Sequence, residues 1–170
     1  MTAERVLMSY SKVLETYIIR PATVCGYSER MRLDLSVNIL TFSALKNKII
    51  KVFGGNQLRP NINIKDMVRV YEHFIFKRIK TGVYNAGFEN IKILDMAKII
   101  QKKIKSEIVV QESNDPRSYR LNSNKLLKTG FDPKFGINDA IQEIESYYNS
   151  NKIRNKKVYS NINWLKNNIV

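Results

Sequence analysis

The sequence predicts an α/β fold in which short buried strands alternate with amphipathic helices. Residues Thr2–Leu14 carry apolar side chains at helical spacing, and the β-branched and aromatic run Thr16–Arg20 follows them and stops at Pro21. A helical pattern over Leu35–Leu45 is followed in the same way by a strand over Ile49–Phe53, which ends at two glycines. A helix leading into a buried strand, twice in succession, is typical of a parallel sheet.

The rest of the chain continues this alternation as far as a basic, polar tail. Asp66 marks a helix start, because an acidic side chain in the first turn interacts favourably with the helix dipole. The tail covers residues 149–170 and is predicted to hold a short helix around Trp164. The other predicted elements are a loop over Pro21–Leu33, a short strand around Ile62 and Ile64, a helix from Asp66 to about Arg78, a strand over Gly82–Gly87, a helix over Ile93–Ile104, a strand over Glu107–Gln111, a brief helix over Ser123–Leu127, a turn-rich loop over Gly130–Gly136 and a last helix over Ile137–Tyr148.

Composition favours one globular domain in a reducing compartment. The chain has 170 residues, of which 44% are hydrophobic, which is enough to form a core. Its single cysteine, Cys25, excludes an intrachain disulfide. No apolar run approaches the ~20 residues that cross a bilayer, and the first residues, Met1–Lys12, are charged rather than typical of a secretory signal. We therefore expect a cytoplasmic protein with no membrane partner.

The formal net charge of +14 has two interpretations. One is a surface that binds nucleic acid or membrane. The other is a codon bias that enriches lysine, isoleucine and asparagine together. We favour the second and expect no nucleic-acid partner, because the lysines are scattered over every segment. A basic groove would still suit an anionic ligand such as a diphosphate.

The residues that most often carry out catalysis are scarce. The sequence contains no glycine-rich GxGxxG turn and no CxxC pair, and its one histidine, His73, lies within a predicted helix. We expect structural roles for His73 and Cys25, no metal site and no catalytic residue in this chain. Tyr148 and Lys152 have the four-residue spacing of a tyrosine–lysine acid/base pair, but they flank a helix end and we interpret them as a coincidence.

Three segments together resemble one enzyme family. Ile19–Gly26, with the sequence IRPATVCG, is similar to a family loop of the form LRPxNVYG. Val52–Ile62, VFGGNQLRPNI, is similar to FGDGxQxRDFI. Asn114–Pro133 is similar to RPGDxRxxxxDxSKaxxxLGWxP. These patterns belong to the second half of the NAD-dependent epimerase/dehydratase family, the extended short-chain dehydrogenase/reductases. Thr2–Leu7 resembles the residues that follow the catalytic lysine of that family.

The resemblance implies a partial doubly wound, Rossmann-like sheet joined to a small α/β substrate-binding lobe, within residues 1–148. In the family, NAD(P) takes a hydride from a nucleotide sugar. The glycine-rich cofactor turn and the Tyr/Lys pair lie upstream of the matched segments. We therefore expect a truncated or split enzyme that contributes the nucleotide-sugar-binding lobe, with a separately encoded Rossmann half as a possible partner. The family is often homodimeric. The alternative is a non-catalytic module that binds a nucleotide sugar or another anion.

The resemblance also assigns individual residues. Arg59 would reach the substrate diphosphate, and a guanidinium suits that role because its planar fork pairs two phosphate oxygens at once. For Arg59 and Arg117 alike, the alternative is an ordinary solvated loop arginine. The cofactor-binding candidates are Pro21 and Ala22, and the substrate-binding candidates are Thr23, Arg32, Asn38, Arg59 and Arg117.

Overall fold

The computed structural model describes residues 2–153, 159–161 and 165–166, and the alternation of helices and strands is confirmed there. The helix predicted around Trp164 lies mostly outside the described residues. The elements in chain order are α1 (Thr2–Ser9), β1 (Tyr17–Pro21), β2 (Thr23–Cys25), α2 (Ser36–Asn47), β3 (Ile49–Phe53), β4 (Leu58–Asn63), α3 (Ile64–Phe76), β5 (Gly82–Ala86), β6 (Glu89–Lys92), α4 (Ile93–Lys103), β7 (Glu107–Gln111), α5 (Asn124–Leu127) and α6 (Ile137–Asn149).

The strands form three small sheets. β1 pairs with β5 in parallel, and β3 pairs with β7 in parallel. β4 lies in the middle of a three-stranded mixed sheet, parallel to β2 and antiparallel to β6. Every parallel pair is joined through at least one helix, as crossover connections require. The predicted α/β class is therefore confirmed.

Two hydrophobic cores pack the described helices against the described strands. The larger one surrounds β3, whose inward side chains Ile50 and Val52 pack against helices α2, α4 and α6. The smaller one lies between α3 and the β1–β5 pair, where the Phe74 ring contacts Tyr17 and Tyr84 at centroid distances of 5.5 and 4.9 Å. Burying large aliphatic and aromatic side chains in this way contributes about 1.5–3 kcal/mol each.

Asp66 has a larger role than a favourable charge in the first turn of α3. The residue is fully buried, and its carboxylate accepts hydrogen bonds from the backbone N–H groups of Lys134 and Phe135 at 2.9 and 3.0 Å. It also pairs with Arg69, one turn along the helix, at 2.6 Å. Asp66 thus fixes the loop before α6 to the start of α3.

The structure corrects several of the predicted elements, either in their boundaries or by adding a strand. The first helix ends at Ser9 rather than Leu14. The predicted loop 21–33 contains β2, and Ile64 begins α3 instead of continuing a strand. β6, over residues 89–92, was not predicted. β2 and β6 are three and four residues long, and they exist because β4 supplies hydrogen-bond partners on both sides.

The region around α1 and β1 leaves apolar surface uncovered. Among the described strands, β1 and β5 pair only with each other, so both outer edges of this two-stranded sheet carry no further strand. An ion pair between Glu4 and Arg20 at 2.6 Å ties α1 to β1. The apolar residues of the predicted first helix are nevertheless exposed, namely Val6, Leu7, Tyr10 and Leu14.

Candidate functional site

A cavity of about 610 Å³ lies between α2, β3, β4 and the extended segment 113–119; we call it the arginine cavity. One wall is apolar and includes Leu35, Ile39 and Phe53. The lining also carries charge, with Arg59 and Arg117 beside Asp115. The remaining lining residues are Thr23, Asp34, Ser36, Leu40, Ser43, Lys51, Ile93 and Tyr119. A cavity that combines apolar side chains with a few charged groups is typical of a ligand site.

Arg59 is held rigidly on β4. Its Nη1 donates to the Leu58 carbonyl at 3.0 Å and also to the carbonyl of Arg117. Its Nη2 donates to Asp115 Oδ2 at 3.1 Å, and the guanidinium lies 5.6 Å from the centre of the Tyr119 ring. Only 13% of the side chain is exposed. A loop arginine solvated on all sides, the alternative considered for this residue, would not have this environment.

Arg117 shares the same carboxylate. Its Nε and Nη2 donate to Asp115 Oδ1 and Oδ2 at 2.7 and 2.8 Å, and its backbone N–H donates to Oδ1 at 3.1 Å. These bonds from Arg117 lower the pKa of Asp115 far below its usual range. The segment is joined to β4 where Leu58 N–H donates to Ser118 Oγ at 3.0 Å. Arg59 and Arg117, 58 residues apart in sequence, therefore meet at one point.

A second cavity of about 400 Å³, which we call the adjoining cavity, contains four of the predicted contacts. Pro21, Ala22 and Thr23 reach it from the junction of β1 and β2, and Arg32 reaches it from the loop that follows. The Arg32 guanidinium is paired with Asp34 through two hydrogen bonds, at 2.8 and 3.0 Å. Residues that line both cavities are Thr23, Leu35 and Tyr119. The two spaces therefore lie side by side.

Asn38 is not among the residues that line either cavity. It is 2% exposed, its amide Nδ2 donates to the Arg32 carbonyl at 3.0 Å, and its Oδ1 accepts from Gly26 N–H at 3.0 Å. Gly26 has φ 111°, a backbone conformation that favours glycine. Asn38 thus joins the two ends of the loop that carries Arg32.

The residues of the arginine cavity that were not predicted include Lys51, Tyr119 and Asp115. The signal for Lys51 was present, because strand alternation places it on the same face of β3 as Phe53, while Ile50 and Val52 point into the core. Asp115 matches the aspartate of the RPGDxR pattern, but that pattern does not show its contact with β4. With Lys51, three cations and two acids (Asp34 and Asp115) line this cavity.

Several other side chains are of types that can carry out catalysis, but they are buried or contact neighbouring side chains. His73 Nε2 lies 2.7 Å from Thr129 Oγ1, and burial lowers the pKa of the imidazole. Cys25 is 1% exposed, and burial raises the pKa of its thiol to about 12. Lys152 stacks on the Tyr147 ring at 5.3 Å, while Tyr148 packs edge-on against Phe42.

Two features are absent from the described residues. His, Cys, Asp and Glu side chains do not gather there in groups of three or more that could hold a metal ion. No helix in the described ranges has the length and apolar character needed to cross a bilayer.

The fold of the described residues is similar to that of several solved epimerases and dehydratases. The chain matches no protein-family model. Its fold is similar to that of dTDP-glucose 4,6-dehydratase from Bacillus anthracis, with a TM-score of 0.74 and 19% identity over 88% of this chain. It is similar in the same way to UDP-glucose 4-epimerase from Thermotoga maritima, with a TM-score of 0.75 and 19% identity. For UDP-glucuronic acid 4-epimerase from Bacillus cereus the TM-score is 0.70 and the identity 22%.

The chain spans about half the length of these solved structures, covering 50%, 52% and 50% of them respectively. The first and third of these structures are complexes with NAD, the second is a complex with UDP-glucose, and the third also holds UDP-glucuronic acid. The Rossmann-like fold predicted from the three sequence segments is confirmed by these similarities.

Proposed function

We propose that this chain is the nucleotide-sugar-binding half of an NAD(P)-dependent epimerase or dehydratase. The observation that carries the proposal is the meeting of Arg59 and Arg117 in one cavity, directly beside the adjoining cavity that contains Pro21, Ala22 and Thr23. Two guanidiniums at one point match the charge and the planar oxygen geometry of a diphosphate.

In the proposed complex the diphosphate lies against Arg59 and Arg117, and the nucleoside lies along the apolar wall formed by Leu35, Ile39 and Phe53. The sugar then extends into the adjoining cavity, where the Thr23 hydroxyl is a hydrogen-bond partner and Arg32 a cationic one. Asn38 acts indirectly, by fixing the loop that carries Arg32. Anchoring the diphosphate orients the sugar, which is the part of catalysis that this chain would supply.

The residues that line the adjoining cavity are suited to contact one end of the cofactor. Pro21 and Ala22 line the adjoining cavity and would contact the nicotinamide end of NAD(P), which supplies hydride transfer when bound. The sequence has no glycine-rich turn at a helix start, the usual site for the cofactor pyrophosphate. Binding of the whole cofactor therefore requires a second half, in the same polypeptide or in a separate one.

The free edge of β1 is the proposed docking position for that cofactor-binding half. A parallel sheet of two strands is marginal by itself, and parallel sheets normally continue with helices on both faces. The exposed apolar side chains of the first helix region, Val6, Leu7, Tyr10 and Leu14, would be covered by the same partner. A reducing, cytoplasmic setting, inferred from the single cysteine, is part of the proposal.

A non-catalytic binding module is the second candidate function. It is favoured by one observation: the described lining residues of both cavities include no histidine and no tyrosine that lies four residues before a lysine. The two candidates share the same ligand and differ in whether a cofactor-binding half is present. Co-purification of the chain with a polypeptide that binds NAD(P), followed by turnover of a UDP-sugar, would favour the enzyme.

Calorimetric titration of the 170-residue chain with UDP, UDP-glucose and uridine tests the proposed site. We expect UDP and UDP-glucose to bind and uridine to bind much more weakly, because most of the recognition is directed at the diphosphate. Affinity for UDP should also fall as salt is added, since exposed charges are screened. Equal affinities for UDP and uridine, or no binding of UDP at low salt, would refute the proposal.

A further inference from the structure

One carboxylate holds both arginines of the arginine cavity. Asp115 Oδ2 accepts from Arg59 Nη2 at 3.1 Å and from Arg117 Nη2 at 2.8 Å, while Oδ1 accepts from Arg117 Nε at 2.7 Å. The backbone N–H of Arg117 also donates to Oδ1, and the backbone N–H of Asp115 donates to Ser113 Oγ at 3.2 Å. The carboxylate is itself fixed by its own segment, and 28% of its side chain is exposed.

These contacts use one particular edge of the Arg117 guanidinium. A guanidinium has five N–H donors, and it can pair with an anion either through the Nε/Nη2 edge or through the Nη1/Nη2 edge. Asp115 takes the first edge. Within the described residues no hydrogen bond is formed by Nη1 of Arg117, and 76% of this side chain is exposed. The second edge therefore remains available to a ligand.

We propose that Asp115 is a positioning residue, which aligns Arg59 and Arg117 so that their remaining N–H groups meet the diphosphate of the ligand. This inference rests on the proposed function. Without Asp115, Arg117 would be a long exposed side chain, and a ligand would have to immobilise it on binding.

Electrostatics alone predicts the opposite effect. Asp115 is a negative charge beside an anion site, so neutralising it would strengthen the binding of UDP if charge were its main contribution. The sign of the change on neutralisation therefore separates positioning from simple competition with the ligand.

The test compares two charge-matched variants of the full chain, Asp115→Asn and Asp132→Asn, by calorimetric titration with UDP. Asp132 is exposed and pairs with Lys134, outside both cavities. We expect Asp115→Asn to weaken UDP binding by about fivefold to tenfold, the effect of failing to pre-order one or two long side chains. Asp132→Asn should leave the affinity almost unchanged. UDP binding by Asp115→Asn that equals or exceeds binding by Asp132→Asn overturns the inference.

Two additional variants exclude a purely structural effect. Asp115→Glu keeps the carboxylate, so its UDP affinity should lie between those of the original chain and Asp115→Asn; an affinity no better than that of Asp115→Asn counts against positioning. In an Arg117→Ala background, Asp115→Asn should reduce the affinity for UDP by a smaller factor, because one of the two aligned guanidiniums is gone. An equally large reduction in UDP affinity in that background contradicts the inference. If the original chain binds UDP but Asp115→Asn binds equally well, only this inference fails. If the original chain does not bind UDP, the proposed function fails and this inference with it.

Discussion

Replacing Arg59 with alanine removes the least exposed cation of the arginine cavity. Loss of a hydrogen bond to a charged group typically costs about 1.5–3 kcal/mol. If Arg59 pairs with the diphosphate, Arg59→Ala should therefore weaken UDP binding by roughly tenfold to a hundredfold. Arg59→Lys keeps the charge but loses the planar fork, so its UDP affinity should fall between those of the original chain and Arg59→Ala.

Arg59→Ala is also expected to change the stability of the fold, so the binding experiment must account for unfolding. Arg59 donates to the carbonyls of Leu58 and Arg117, so Arg59→Ala leaves two acceptors without this partner and should lower the free energy of unfolding as well. Binding must therefore be measured well below the unfolding temperature of each variant.

Arg78→Ala is the matched control, because Arg78 is an exposed arginine outside both cavities and its removal changes the net charge equally. Titration calorimetry at one fixed salt concentration gives the dissociation constants. A constant for Arg59→Ala that matches the one for Arg78→Ala would remove Arg59 from the site and refute the reasoning.

Two further predictions concern titratable groups away from the arginines. Burial raises the pKa of Glu89 above its ordinary value of 4.5, although the N–H of Ile137 donates to it at 2.6 Å and acts in the opposite direction. A raised folded-state pKa means that stability is fully present below the unfolded pKa and is lost as pH rises through the folded one. As the pH rises from about 4 through the folded-state pKa of Glu89, the chain should therefore lose stability relative to Glu89→Gln in urea unfolding, and parallel pH profiles would contradict this. The buried Cys25 thiol, with its pKa raised to about 12, should not react with a disulfide reagent at about pH 8 until denaturant unfolds the chain, and rapid labelling of the native protein would show that it is accessible.

The elements that the sequence predicted well are those whose stability is local. β3 and β7 were predicted with the bounds that the structure has, because each is a β-branched run between turn or helix signals. β2 and β6 were missed for the opposite reason. Their residues are polar or mixed, and their strand conformation depends on pairing with β4, which is distant in sequence.

The first helix shows a different limit. Its apolar pattern predicted a helix as far as Leu14, whereas α1 ends at Ser9 and the apolar side chains of this segment are exposed. Hydrophobic periodicity indicates which face a helix can bury. It does not show whether another part of the chain packs against that face.

The candidate site was predicted as a set of residues but not as an arrangement. The motif segments identified Arg59, Arg117 and Thr23, and the structure brings all three to one cavity. The bridging role of Asp115 and the internal hydrogen bonds of Asn38 depend on tertiary contacts, with Asn38 reaching a backbone group 12 residues away. No local pattern encodes contacts of this kind.

A crystal structure of the chain with bound UDP would test the central claim most directly. The account predicts a diphosphate within hydrogen-bond distance of Arg59 and Arg117, with the uracil against the apolar wall that includes Phe53. A diphosphate bound elsewhere on this basic surface, with both guanidiniums still occupied only by Asp115 and the backbone, would contradict it.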